Sequence, residues 1–200
     1  MKADMNMNDE SFRHKKDKYY KKAKRSRYRA RSAYKLIDIQ KKFNIFKRAF
    51  YILDVGSAPG SWLQVIQEYA EENLEKYNDQ YYHRDQYKIL GVDLKRVSNI
   101  ENVKTIKMDA TKSEFKQEIE SFFGDPLDLI VSDASINKSG NKFSDQARQI
   151  KLCRKILEFL PYLKNGGIFV VKCFQGQDIK FFRRDLNKNF RYVRSYKPRS

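Results

Sequence analysis

The chain has 200 residues, enough for one α/β domain around a single core, with 42 Lys or Arg against 25 Asp or Glu, a formal net charge of +17 and a mean hydropathy of −0.80. No apolar run reaches membrane length and Met1 to Glu10 lacks a signal-peptide core, so the expectation is a soluble, intracellular protein of cytoplasm or nucleus, or of an organelle, with no membrane partner. Cys153 and Cys173 are the only cysteines, and His14 and His83 stand alone in polar segments, which excludes a disulfide framework and a metal-ligand cluster and leaves both thiols in or near the core.

Much of the charge lies at the start of the chain. From Arg13 to Arg31 there are eleven Lys or Arg and one acid, Asp17, with Tyr19, Tyr20 and Tyr28 interleaved. Cations that meet phosphates and rings that stack on unpaired bases suit a nucleic acid; a solvated, disordered tail is the alternative. Residues 1–31 therefore read as a partly disordered basic arm and residues 32–200 as one domain. Ser32 reads as a helix N-cap, followed by Ala33, Leu36, Ile37 and Phe43 near one face with Lys35 beside it. A strand is predicted over Phe50 to Val55 and a helix over Ser61 to Glu72. Asn73 to Gln86, polar and without period, reads as a surface insertion. Further strands are predicted at Lys88 to Leu94, Val103 to Met108, Leu127 to Ser132 and Ile168 to Phe174. Helices fall at Lys112 to Phe123 and Asp145 to Leu163, the second closed by Gly166 and Gly167 as C-cap residues. Gln177 to Leu186 reads as another helix and Phe190 to Ser195 as a sixth strand. This alternation gives an α/β fold with a doubly wound, mostly parallel sheet and no second domain.

The stretch from Leu53 to Trp62, L-D-V-G-S-A-P-G-S-W, joins a buried strand to a helix through a glycine turn. Glycines let a ligand approach the backbone, and a helix start offers free N–H groups. The spacing is not G-x-G-x-x-G, and an acid two residues before the first glycine points to an S-adenosylmethionine pocket, with an ordinary strand-to-helix turn as the alternative. Ligands in such sheets lie outside the carboxyl ends of the strands, and acids recur there: Asp54, Asp93, Asp109 and Asp133. Asp93 is placed to accept ribose hydroxyls of an adenosine, Asp109 to meet an adenine edge, and Asp133 to face the central crevice. Lys172 stands in I-F-V-V-K-C-F, a run otherwise fit for burial, where an ammonium needs an acid partner or a depressed pKa. Either makes it a candidate for proton transfer; snorkelling from a frayed strand end is the alternative.

From about Lys18 to Ser200 the chain resembles the FtsJ/RrmJ family of RNA ribose 2′-O-methyltransferases. It carries R-A-R-S-A-Y-K-L, D-V-G-S-A-P-G-S-W, G-V-D-L, V-S-D-A-S-I-N-K-S-G, N-G-G-I-F-V-V-K-C-F-Q-G and K-P-R-S in order. The resemblance implies a Rossmann-like methyltransferase sheet with helices on both faces. It implies a cofactor pocket of Gly56, Ser57, Pro59, Gly60, Trp62, Asp93, Asp109 and Asp133. It also implies a catalytic set of Lys35, Asp133 and Lys172, in which Lys172 is the general base assisted by the other two. The family's catalytic Glu and last strand would fall after Ser200. The expectation is thus a sheet missing its final strand, with the sixth strand poorly anchored beside the fifth. Ile136 stands where bacterial members have Pro, while Asn137 is retained. The implied substrate is RNA, large-subunit rRNA first, from the Q-G and N-x-S-G features. A tRNA anticodon loop follows, from K-D-K-Y-Y-K-K-A-K and R-A-R-S-A-Y-K, with an auxiliary subunit in that case; otherwise a monomer is expected. A catalytically silent RNA-binding or ribosome-assembly factor of the same fold is the rival reading.

Overall fold

The computed structural model describes residues 27–77 and 85–199, so most of the basic arm, and the core of the expected insertion, lie outside the described residues. Helix α1 (Ala33–Phe43) leads to strand β1 (Tyr51–Val55), helix α2 (Ser61–Tyr77) and strands β2 (Lys88–Asp93) and β3 (Lys104–Lys107). Helix α3 (Glu114–Phe123), strand β4 (Leu127–Ser132), helix α4 (Lys142–Leu157), strand β5 (Leu163–Val171) and helix α5 (Ile179–Asn189) follow. The strands form one parallel sheet in the order β3-β2-β1-β4-β5. From β1 the chain runs outward first through β2 and β3, then returns to the other side through β4 and β5. That reversal opens a crevice at the carboxyl ends of β1 and β4.

Successive strand side chains face opposite sides, and the two cores divide accordingly. Ile52, Ile89, Leu129 and Val131 pack with α1 and α2, whereas Leu53, Leu90 and Ile130 pack with α3 and the end of α4. The helices therefore flank the sheet on both faces. Every residue of β1 and β4 is buried, as a central parallel strand requires. Asp128, a buried carboxylate among these apolar residues, is satisfied by its neighbours. Its Oδ2 accepts from the amides of Phe50 (2.7 Å) and Tyr51 (2.8 Å), and Lys164 sits 2.5 Å from Oδ1.

Several local expectations are corrected. Ser32 precedes α1 but makes no cap bond; its hydroxyl pairs with Ser61 Oγ at 2.8 Å. Helix α2 continues to Tyr77 because Asn73 is buried and its amide donates to the carbonyls of Phe46 (2.6 Å) and Ala49 (2.9 Å). Asn73 to Tyr77 is thus helix rather than insertion. Helix α4 begins earlier than Asp145, with Asn141 accepting from the Ser144 amide at 3.0 Å, and ends at Leu157. Pro161, which has no N–H to give, then sits in a short 3-10 turn, Leu160–Tyr162.

Gly166 and Gly167 are not helix caps. They lie within β5, where the pairing slips from Leu127–Leu163 to Leu129–Ile168, and Gly166 takes φ +77° at that irregularity. No sixth strand forms over 190–195. Phe190 stacks on Phe169 at 5.9 Å, and further on Tyr196 packs edge-to-face on Phe43 at 5.4 Å and donates to Asp38 at 2.9 Å. The aromatic–basic alternation that reads as a strand here anchors a chain crossing to α1. Among the described residues β5 pairs only with β4.

Candidate active site

The first half of the crevice is the turn after β1. Gly56 takes φ +81° and Gly60 φ +103°, a region that side chains strain to enter. A Cβ on Gly56 would also lie 2.6 Å from that of Ala134, so glycine lets the β1 and β4 ends approach. The amides of Gly56 and Ser57 both donate to Val92 O, at 2.8 and 3.1 Å, which folds the turn against β2. Asp93, the last residue of β2, accepts from the Ala58 amide (3.0 Å) and the Lys95 amide (2.8 Å). Asp109 follows β3 and accepts from the Thr111 amide and hydroxyl, bonds that hold its carboxyl below the usual carboxylate range. Pro59 is exposed, and Trp62 is buried in the α1–α2 core with its indole N–H donating to Ser32 O at 2.9 Å. Trp62 thus fixes the start of α1, and through it Lys35.

Among the described residues, two buried polar atoms in this corner have no partner: Asp54 Oδ2 and Ser57 Oγ. Burial first, then the charges of Asp133 and Asp93, push the Asp54 carboxyl well above its ordinary range. These groups, the open backbone at Gly56 and Gly60, and the strand-end carboxylates fit an adenosine-bearing cofactor. Asp93 already takes two amides, yet a carboxylate has about four acceptor sites and keeps capacity for ribose hydroxyls.

The second half of the crevice holds the charged trio. Asp133, one residue past β4, lies 3.5 Å from Lys35 Nζ through Oδ2 and 3.0 Å from Lys172 Nζ through Oδ1; Lys172 also donates to the Asp133 carbonyl. Lys172 is one residue past β5, its amide donating to Ser132 O at 2.9 Å. The apolar run of β5 is half-buried rather than buried and the Lys172 side chain is 28 % exposed, so the lysine reaches water at the mouth of the crevice as well as its acid partner.

Gln149, a residue without a motif of its own in the sequence, braces this trio. It lies on α4 and is fully buried. Its amide group donates to the carbonyls of Ala134 and Lys172, both at 3.0 Å, and its Oε1 accepts from the Ile136 amide at 3.1 Å. One side chain thus ties the segments that carry Asp133 and Lys172. Its only sequence signal is a polar residue on the buried face of an amphipathic helix. Below it, Cys153 Sγ approaches Lys172 O (3.2 Å) and Cys173 Sγ (3.5 Å); both cysteines are free thiols. Asp145 closes the neighbouring loop, accepting from Ser139 N and Oγ and from Gly140 N. Ile136 and Asn137 lie in that loop, the Asn137 carbonyl accepting from Arg148 at 3.2 Å.

The root of the basic arm is fastened to the cofactor side. Arg29 donates to the carbonyls of Ser98 (2.8 Å), Asn99 (2.7 Å) and Pro59 (3.3 Å), while Tyr28 donates to Glu68 at 2.6 Å. Among the described residues no group of three or more His, Cys, Asp or Glu could hold a metal ion, and no helix is long and apolar enough to cross a membrane.

Comparison with known proteins shows the family. The family model of FtsJ-like methyltransferases matches residues 28–200. Ribosomal RNA large subunit methyltransferase E of Methanothrix thermoacetophila is 39% identical over 187 residues, which are 93% of this chain and 68% of that protein. The protein of that name from Halorubrum lacusprofundi is 37% identical, over 92% of this chain and 65% of its own length. The chain therefore spans about two thirds of these relatives. A solved structure from Plasmodium falciparum, assigned as a ribosomal RNA methyltransferase, superposes with a TM-score of 0.72 at 31% identity, over 85% of this chain and 91% of that one.

Proposed function

The chain belongs to the FtsJ-like methyltransferase family, and from that premise we propose that it methylates a ribose 2′-hydroxyl of RNA, with large-subunit ribosomal RNA as substrate. The observation that carries this reading is the trio itself: one carboxylate held between two lysines, beside a glycine corner suited to an adenosine. When bound, S-adenosylmethionine supplies an electrophilic methyl group on a cationic sulfur. A ribose hydroxyl is a weak nucleophile and gains from proton removal.

Lys172 Nζ is the acceptor of that proton. Two lysines share the single Asp133 carboxylate, so when the ammonium proton of Lys172 passes to solvent at the crevice mouth the acid stays paired with Lys35. Asp133 then orients the neutral amine, and Lys35 keeps a positive charge beside the hydroxyl oxygen as negative charge develops there. Gln149 and the backbone bond from Lys172 to Ser132 hold these groups at fixed separation. Positioning of the ribose hydroxyl and of the cofactor by these residues would supply the remainder. Gly56, Ser57, Asp93 and Asp109 would hold the cofactor, with Pro59 and Gly60 shaping the turn.

The test is transfer of labelled methyl to total RNA, followed by mapping of the modified nucleotide. A labelled 2′-O-methyl ribose in large-subunit rRNA is the expected result. Label in an anticodon loop would establish the tRNA reading, which the basic start of the chain favours. Absence of label with intact RNA binding would leave a silent assembly factor.

A further inference from the structure

Beyond the N-terminal arm, a second basic tract runs from Lys180 to Arg199, with eight Lys or Arg against one acid, Asp185. Helix α5 begins it and is sharply two-sided. Phe182 is buried against Ile150 and Cys153, and Asp185 is taken by Arg154 at 3.0 Å. Lys180, Arg184 and Lys188 recur every fourth residue on the exposed side, about 6 Å apart along the helix, with Arg183 beside them. Among the described residues none of the eight cations forms an ion pair, in contrast to Lys104, Lys116, Arg148, Arg154 and Lys164. Two rings stand out from the tract: Phe181, 42% exposed, and Tyr192, 67% exposed. Lys180 Nζ lies 5.1 Å from the Phe181 ring and Arg191 lies 5.2 Å from the Tyr192 ring.

Both ends of the tract join segments that carry a lysine of the trio. Asp178, where α5 starts, is six residues past Lys172, a reach of at most about 20 Å. At the other end Tyr196 Oη and the Arg199 amide both donate to Asp38, at 2.9 and 2.8 Å. Asp38 stands one helical turn after Lys35.

We propose that Lys180–Arg199 is a track for single-stranded RNA flanking the modified ribose, with phosphates on the cations and an unpaired base on Phe181. The inference rests on the RNA reading of the preceding subsection. It adds a binding surface distinct in sequence from the arm. Unpaired cations in a row attract a polyanion, and exposed rings select strands whose bases are free to stack.

The test is binding of labelled single-stranded RNA to the full chain across a salt series. Lys180→Gln, Arg184→Gln and Lys188→Gln combined should flatten the slope of log K against log salt by about 2, at roughly 0.7 per phosphate contact. A control with the same charge loss, Lys104→Gln, Lys107→Gln and Lys116→Gln, should leave the slope near its original value. Phe181→Ala should weaken single-stranded RNA roughly tenfold and leave a blunt RNA duplex unaffected. Unchanged Tm and cofactor affinity would show that these surface variants are folded. Equal slopes for the two triple variants, or no effect of Phe181→Ala, would overturn the track. The readout is binding, so its failure is separable from failure of the methyltransferase reading. Track-dependent binding without any methyl transfer would remove the activity and keep the surface, and transfer with track-independent binding would do the reverse.

Discussion

The two halves of the crevice are built on different principles. On the β1–β2 side the backbone does the shaping: two left-handed glycines, paired amides on Val92 O, and a carboxylate, Asp93, that clamps the turn. On the β4–β5 side the crevice is made by partly buried charged side chains from three distant segments, two of them tied together by Gln149. A backbone cradle tolerates few residues but needs no long-range help. A side-chain trio needs its supports placed first. Changes in the first half should therefore act on cofactor affinity, and changes in the second on turnover.

The strongest attack on that division is Lys172→Ala. Its turnover should fall by about 10²–10⁴-fold, the range for a lost general base, with S-adenosylmethionine affinity by calorimetry within a few-fold of the parent. Near-parental turnover would take the base role from Lys172. Next comes Gln149→Met, which keeps the volume and loses three buried backbone bonds. At about 1 kcal/mol each it should destabilise by roughly 3 kcal/mol in denaturant unfolding. Under conditions where the variant is folded, turnover should fall more than cofactor affinity. Equal loss of both would mean that Gln149 supports the whole crevice rather than the trio.

Asp93→Ala probes the other half and should weaken cofactor binding by about 1–3 kcal/mol, the scale of charge-assisted hydrogen bonds, with little change in turnover at saturation. A change confined to turnover would erase the distinction between the halves. The smallest effect is expected from Asp54→Asn without cofactor. The Asp54 carboxyl is raised in the folded protein, chiefly by burial, so folding favours its protonated form. The stability from that preference is complete below the unfolded value near 4 and is lost as pH climbs toward the folded value. The Tm advantage of Asp54→Asn should therefore widen as pH rises above the unfolded value near 4. A gap independent of pH would show that Asp54 is ionised in both states.

The alternation of apolar strands and amphipathic helices was enough to establish a parallel α/β sheet, because burial on two faces imposes that pattern locally. The same holds for the glycine corner, since strand, turn and helix start are consecutive in the chain. The acids at strand ends were legible for a related reason: Asp93, Asp109 and Asp133 each end or closely follow their strand. Lys172 announced itself as a charge inside an apolar run, and Asp133 is the partner that run required.

Tertiary structure decided what depends on distant groups. The bulge at Gly166 exists because β5 must slip against β4, which a glycine pair alone does not distinguish from a helix cap. Residues 190–195 alternate as a strand would, but a strand also needs a ladder partner, and here Phe190 stacks on Phe169 while Tyr196 settles on Phe43 and Asp38. Asn73 looked like loop because its value lies in two carbonyls more than twenty residues away. Gln149 gave only a weak signal, a polar residue on an apolar helix face, for the same reason. A buried amide has meaning only through the groups that satisfy it, and those groups are brought to it by the fold.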